Sequence, residues 1–250
     1  MLYKLRKKIA KFLVNSKDDA LKPASNYSDI TDREWNIINQ TKDFTLTNPE
    51  RLVSLIRAVD YIESNNIAGS IVECGVWKGG SIMSILKTLK NRDSTNREIY
   101  LYDTFEGMSE PTEKDESFRG ESANKAFNKK DEFWERIKCF STLEEVESNI
   151  KTINYPSKKI KFIKGKVEDT IPGNAPNKIA ILRLDTDWYE STLHELEHLY
   201  PRLVPGGVLI IDDYGHWKGC KKAVDEYLAK NDISLLLHRI DYTCRISVKN

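Results

Sequence analysis

A chain of 250 residues with 39 basic and 38 acidic side chains carries a net charge of +1, too even a balance for a general nucleic-acid binder. No apolar run approaches the roughly 20 residues that span a bilayer, and the opening Met1-Leu-Tyr-Lys-Leu-Arg-Lys-Lys8 lacks the apolar core of a secretory signal. The four cysteines, Cys74, Cys139, Cys220 and Cys244, are too scattered for a zinc or redox motif, so a cytoplasmic protein is expected.

Residues 1–17 place Leu2, Leu5, Ile9, Phe12 and Leu13 on one helical face, with Lys4, Lys7, Lys8 and Lys11 around it. A basic amphipathic helix of this kind either touches an anionic membrane surface weakly or docks on its own protein or a second subunit. Docking is the commoner case, and a homo-oligomer is expected. Residues 17–28 are polar and read as a linker. Thr31-Asp-Arg-Glu34 matches a capping box opening a short helix. Asn48 and Pro49 read as the N-cap and first position of another, whose stripe is Leu52, Leu55, Ile56, Val59 and Ile62. Residues 1–48 are taken as a helical appendage and 49–250 as the domain that carries the chemistry.

The run from Ile71 to Ser81 is a strand passing through a glycine turn into a helix, with Glu73, Gly75 and Ser81 placed around the turn. Backbone N–H groups at such a helix start face anionic ligand groups. The spacing is Glu-x-Gly-x-x-x-Gly-Gly, which is not the dinucleotide fingerprint. A second strand over 98–102 ends at Asp103, followed by Thr104, where an acid can accept hydrogen bonds from two ribose hydroxyls. Loop and acid together point to a nucleoside pocket.

Residues 106–140 are charged, with isolated aromatics at Phe118, Phe127, Phe133 and Trp134, and are long enough for a lid or acceptor-specific insert rather than a plain connection. Ser141-Thr-Leu-Glu144 opens a further helix by capping-box logic, and residues 160–163 read as a third strand.

Residues 179–185 and 206–212 are apolar runs ending in Asp185-Thr-Asp187 and Asp212-Asp213, joined by a helical stripe of Leu193, Leu196, Leu199 and Leu203 closed by Pro205-Gly206-Gly207. Strand, helix, strand is the crossover unit of a parallel sheet, which brings both strand ends to one edge, where open α/β sheets bind ligands. Strand alternation places Asp185 and Asp187 on one side. Four carboxylates in one mouth suit a hard cation such as Mg²⁺, Ca²⁺ or Mn²⁺; the other reading is that they cap the following helix. Residues 217–230 read as helix, then 234–239 and 243–248 as a closing hairpin around Asp241-Tyr242.

Taken together, Val72-Glu-Cys-Gly-Val-Trp-Lys-Gly-Gly80, Asp103-Thr-Phe-Glu-Gly107, Leu182-Arg-Leu-Asp-Thr-Asp-Trp-Tyr-Glu-Ser-Thr192 and Ile211-Asp-Asp-Tyr-Gly215 resemble the macrocin O-methyltransferase family, from about Phe44 to the C-terminus. The resemblance implies a class I methyltransferase fold, a Rossmann-like seven-stranded, mostly parallel α/β sheet with a C-terminal antiparallel hairpin and helices on both faces. It implies S-adenosylmethionine as methyl donor, bound around Glu73, Gly75, Ser81, Asp103 and Thr104. It also implies Mg²⁺ on Asp185, Asp212 and Asp213, Asp187 as general base, and a sugar or glycoside hydroxyl as acceptor. A catechol or other vicinal diol is the alternative acceptor. His194-Glu195-Leu-Glu-His198 matches a zinc-hydrolase pattern, but lies on the crossover helix away from the strand mouths. A catalytically inactive binding module is the remaining alternative.

Overall fold

Seven strands hydrogen-bond into one sheet in the order β3-β2-β1-β4-β5-β7-β6. They are β1 (Ser70–Cys74), β2 (Ile99–Asp103), β3 (Ile160–Lys164), β4 (Ile179–Leu184), β5 (Leu203–Ile211), β6 (His238–Arg239) and β7 (Arg245–Val248). All pairs are parallel except β5–β7 and β6–β7. This computed structural model describes residues 27–128 and 139–250; the basic stretch 1–17, the linker up to residue 26, and Phe133 and Trp134 lie outside the described residues.

Helices cover both faces because the central strands are apolar on both sides, as parallel strands must be. On one face, Ile71, Ile99, Leu101, Ile181 and Ile210 pack against α2 (Pro49–Ser64), α3 (Gly80–Lys90) and α5 (Leu143–Lys151). On the other, Val72, Cys74, Leu182, Leu184 and Ile211 meet α7 (Tyr189–Leu199) and α8 (Lys218–Lys230). A smaller cluster of Trp35, Ile37, Ile38, Leu52 and Ile56 joins α1 (Asp32–Thr41) to α2. Two short helices, α4 (Ala123–Phe127) and α6 (Val167–Thr170), lie in the connections after β2 and β3. Among the described residues no helix is long and apolar enough to cross a membrane.

The caps behave largely as their residue types require. Thr31 and Glu34 close a reciprocal capping box on α1, and Asn48 accepts from the Arg51 N–H at 2.9 Å to start α2. The cap of α5 is Thr142, one residue later than expected, while Ser141 donates to the Glu145 carboxylate instead.

Two boundaries differ from the pattern reading. Leu203 belongs to β5, not to the crossover helix: α7 ends at Leu199, and Pro201 lies in a single 3₁₀ turn, Tyr200–Arg202. Leu203 is nevertheless buried among the leucines of α7, so its apolar signal marked the right core and the wrong element. Pro205-Gly206-Gly207 is likewise inside β5, where pairing jumps from Ile179–Leu203 to Ile181–Val208 and leaves a bulge with Gly206 at φ +79°. The closing hairpin is also shorter than 234–239 and 243–248, because the Asp241 carboxylate accepts from the Thr243 and Cys244 N–H groups and turns the chain before pairing begins.

Gly75, where β1 leaves the sheet, holds φ +84°, and a Cβ there would run into the backbone carbonyl of Asp185. Gly75→Ala combines left-handed strain with that collision and should destabilise the protein by about 2 kcal/mol or more. Urea unfolding midpoints of the two proteins measure it.

Candidate active site

The acids gather where β1, β4 and β5 end. Strand alternation puts Glu73, Arg183 and Asp212 on the same face as Ile71, Ile181 and Ile210, and register sets Glu73 directly beside Arg183. Arg183 is 2% exposed, and its guanidinium donates to Glu73, to Asp185 Oδ2 at 2.7 Å and to Asp212 Oδ1 at 2.7 Å. From α2, Arg51 pairs with the other oxygen of Asp212 and with Asp241 at 2.8 Å. Among the described residues, Asp185, Asp212 and Asp213 form the one group of His, Cys, Asp or Glu side chains whose ligand atoms converge, all within 4.8 Å.

Asp187 joins them by a different route from the one strand alternation suggests. β4 stops at Leu184, and residues 185–188 form a turn in which the Trp188 N–H reaches the Thr186 carbonyl. Asp187 sits at φ +67°, a conformation that non-glycine residues hold only where surroundings enforce it. Its Oδ1 accepts from the Trp217 indole N–H at 2.7 Å, and its carboxyl contacts Asp213.

These acids do not cap the next helix. The N-terminus of α7 is capped from the insert: Asp115, 1% exposed, accepts from the Tyr189 N–H at 2.8 Å and from both Thr112 donors. Gly219 on α8 makes room for that carboxylate. The Trp188 indole donates to the Ser109 carbonyl at 2.8 Å, and Ser117 bridges Trp217, so the described part of the insert borders the mouth.

Burial drives the protonation pattern. It raises Asp187 to about 7, with the charge of Asp185 adding to it, and raises Glu73 to about 7 despite Arg183. Burial also pushes Asp185 up against the pull of Arg183, and Asp213 up with the help of Asp187 and Asp212. Asp212 is the exception: burial raises it, but Arg183 and Arg51 outweigh that and hold it below its ordinary value. Asp213 Oδ2 is buried with no hydrogen-bond partner, an arrangement that a cation relieves. A trio of carboxylates with one orphaned oxygen and no soft donor fits Mg²⁺ or another hard divalent ion.

On the cofactor side, Gly75 and Ser81 lie in the β1 turn and the first turn of α3, and Gly79 precedes that helix at φ +88°. Asp103 Oδ2 accepts from the Val76 and Trp77 N–H groups at 2.7 and 3.0 Å, and Oδ1 from the Phe105 N–H at 2.7 Å. It therefore clamps the glycine turn to the end of β2. Thr104 donates to the Gly107 carbonyl and shapes the next turn. Glu73 lies in the Arg183 network, on the face packed by α2 and α3.

Among the described residues, His194, Glu195 and His198 do not make a converging group of three ligands, although the two imidazole rings stand 4.4 Å apart. Glu195 is fully buried against Thr186 at 3.0 Å, and His194 Nε2 lies 3.0 Å from the Ile171 carbonyl oxygen. Arg183, Arg51, Asp115 and Trp217 were not anticipated from the sequence. Arg183 alone had a local signal, a basic residue inside an apolar strand run, which requires buried acids. Cys139, at the far end of the insert, also lies close enough to the mouth to feel Asp187 and Asp185, although burial is the larger cause of its raised thiol pKa.

Comparison with known proteins matches residues 4–248 to the macrocin O-methyltransferase (TylF) family, a match that begins well before Phe44. Demethyldecarbamoylnovobiocin O-methyltransferase of Streptomyces niveus is 32% identical over 229 residues, covering 90% of this chain and 84% of that protein. Mycinamicin III 3''-O-methyltransferase of Micromonospora griseorubida is 32% identical over 197 residues, covering 79% and 75%. Among solved structures, the O-methyltransferase NovP superposes with a TM-score of 0.72 at 31% identity, covering 83% of this chain and 82% of that one.

Two outcomes follow from the charge network. Arg183→Met strands Glu73, Asp185 and Asp212 without their shared counter-charge and should cost on the order of 3 kcal/mol in urea unfolding. The second concerns pH. Asp187 and Glu73 bind protons more tightly folded than unfolded, so their contribution is complete below about pH 4 and is lost as pH rises through about 7. His216, lowered by burial, works the opposite way as pH falls through the range below about 6.5. In the presence of chelator, Tm should fall as pH rises from about 4 to about 7, less steeply below about 6.5 where His216 opposes it, and Asp187→Asn should flatten the decline.

Proposed function

The chain belongs to the macrocin O-methyltransferase family and is an S-adenosylmethionine-dependent O-methyltransferase, and from that premise we propose that it methylates a hydroxyl of a sugar or glycoside, with Mg²⁺ on Asp185, Asp212 and Asp213 and Asp187 as general base. The observation that carries the proposal is the convergence of three carboxylates within 4.8 Å, with Asp187 held beside them by Trp217. When bound, S-adenosylmethionine supplies an electrophilic methyl group, and Mg²⁺ makes an acceptor hydroxyl more acidic.

The chain's residues divide the remaining work. Arg183 and Arg51 fix Asp212 from both oxygens and keep it ionised, so one ligand is pre-set before any ion arrives. Asp185 is steered by the same Arg183. Asp187 would take the proton of the acceptor hydroxyl. A carboxylate whose pKa is about 7 matches that task at neutral pH. The Trp217 N–H restricts its orientation, which aligns base and acceptor. The glycine turn, clamped by Asp103, and the first turn of α3 with Ser81 form the donor's side of the mouth. The four free cysteines suit a reducing, cytoplasmic compartment.

The two acids of Asp185-Thr-Asp187 separate in the test. Asp187→Asn should leave Mg²⁺ and S-adenosylmethionine affinities nearly unchanged while cutting turnover by roughly 10²–10⁴-fold, without rescue by added Mg²⁺. Asp185→Asn should weaken Mg²⁺ binding, and its rate should recover partly at high Mg²⁺. Calorimetry gives the affinities, and mass spectrometry of a sugar and glycoside panel gives the rates. Rescue of Asp187→Asn by Mg²⁺ would make it a ligand and leave the base unassigned.

A further inference from the structure

Glu195 is fully buried, and the mechanism assigns it no task. It lies on the inner side of α7, on the sheet face where Val72, Cys74, Leu184, Trp188 and Leu196 form the core. His194 and His198 of the same helix are only half-buried. Glu195 Oε1 accepts from the Thr186 hydroxyl at 3.0 Å, and its Oε2 is buried with no hydrogen-bond partner. Burial pushes the carboxyl well above its ordinary range, against the Thr186 hydrogen bond that favours the ionised form. An apolar side chain of similar size would sit in this core at less cost. What the acid provides that a methionine could not is a hold on Thr186.

Thr186 stands between Asp185 and Asp187, and three contacts fix it. The Trp188 N–H and the Ser191 hydroxyl reach its carbonyl at 2.8 and 3.4 Å, and Glu195 takes its side chain. Ser191 is also buried and precedes Glu195 by four residues, so one stripe of α7 carries both contacts. The turn is thus held from both sides of the sheet. Arg183 draws Asp185 towards the face packed by α2 and α3, and Glu195 draws Thr186 towards α7. Asp187 comes next, at φ +67°, and its carboxylate meets the Trp217 indole. Asp185 and Asp212 are aimed by guanidinium groups, whereas Asp187 takes its direction from the backbone of the turn and from Trp217.

We propose that Glu195 is a positioning residue for Asp187: through Thr186 it keeps the 185–188 turn in the form that sets the Asp187 carboxylate against Trp217 and the acceptor. This rests on the reading of Asp187 as general base. With no exposed surface, Glu195 touches neither donor nor acceptor, so its loss spares the binding of both and falls on the chemical step. Asp185 keeps its direction from Arg183, so Mg²⁺ affinity is spared as well. A displacement of about 1 Å in a reacting group is enough to slow a reaction roughly 10²-fold.

The test pairs Glu195→Met, which keeps the bulk and removes the acceptor, with Thr186→Val, which removes the donor. Glu195→Gln and Thr186→Ser keep the hydrogen bond. In the full chain labelled with ¹⁵N-tryptophan, the Trp217 indole N–H is assigned by its loss in Trp217→Phe. Its NMR resonance should move upfield in Glu195→Met and Thr186→Val and stay in place in the two conservative variants. In turnover with S-adenosylmethionine and Mg²⁺, Glu195→Met should lose roughly 10–100-fold in kcat, with both KM values and the Mg²⁺ affinity within about twofold. Glu195→Gln should restore kcat, and the double variant Glu195→Met, Thr186→Val should be no slower than either single one. Tm of Glu195→Met should equal or exceed that of the parent chain, because a buried carboxyl is gone. If Glu195→Met does not fold, Thr186→Val carries the same measurements. An unmoved indole resonance, a kcat retained where Asp187→Asn loses it, or a kcat lost in step with a falling Tm would overturn the role. Failure of the base reading registers separately: Asp187→Asn would then keep its turnover while the indole resonance still follows Glu195. If no sugar or glycoside is methylated, the acceptor reading fails and the indole resonance decides the positioning role.

Discussion

One buried guanidinium ties the chemistry to the sheet. Arg183 sits one residue from the end of β4 and reaches acids at the ends of β1, its own strand and β5, so three neighbouring strands share a single positive charge. The planar fork of an arginine can serve several carboxylate oxygens at once, which a lysine ammonium cannot do with the same geometry. A buried ion pair of this kind adds little net stability, but removing one partner leaves uncompensated charge in the core. Its value lies in orientation, because it aims Asp185 and Asp212 before any ligand is bound.

The network remains short of positive charge. Glu73, Asp185, Asp187, Asp212, Asp213 and Asp241 face two arginines, and burial rules out full ionisation of all six. The imbalance falls on Asp185, Asp213 and Asp187, which are pushed towards protonation, and spares Asp212, which both arginines hold. A divalent cation bound as proposed would meet the same deficit that protons otherwise fill. Metal affinity and proton release are then linked through one set of oxygens.

The two halves of the mouth are mechanically joined. Gly75 lies against the Asp185 carbonyl, so the glycine turn after β1 and the acid-bearing end of β4 share one contact. Asp103 locks that turn from β2, and Asp115 locks the insert onto the start of α7. Position is thereby transmitted through backbone N–H groups and rigid strand ends, not through long flexible side chains.

Local rules were legible in the residues themselves. The Thr31 and Asn48 caps, the crossover unit, and the convergence of Asp185, Asp212 and Asp213 follow from periodicity and chain order, and all are present, whereas Asp187 comes beside them through a turn that alternation did not foresee. Leu203 and Pro205-Gly206-Gly207 were misplaced, because a buried leucine and a glycine pair look alike at a helix end and in a bulged strand. Asp103 and Glu73 were read only for what they could offer a ligand, and packing also gives them backbone N–H groups and a guanidinium as partners. The decisive contacts span 110 residues from Glu73 to Arg183, 161 from Arg51 to Asp212 and 74 from Asp115 to Tyr189. Composition, spacing and capping determine which elements form and which edge collects the acids, since those depend on neighbours a few residues away. Which acid keeps its charge and which one caps a helix depend on desolvation and distant partners, and those exist only once the sheet has closed.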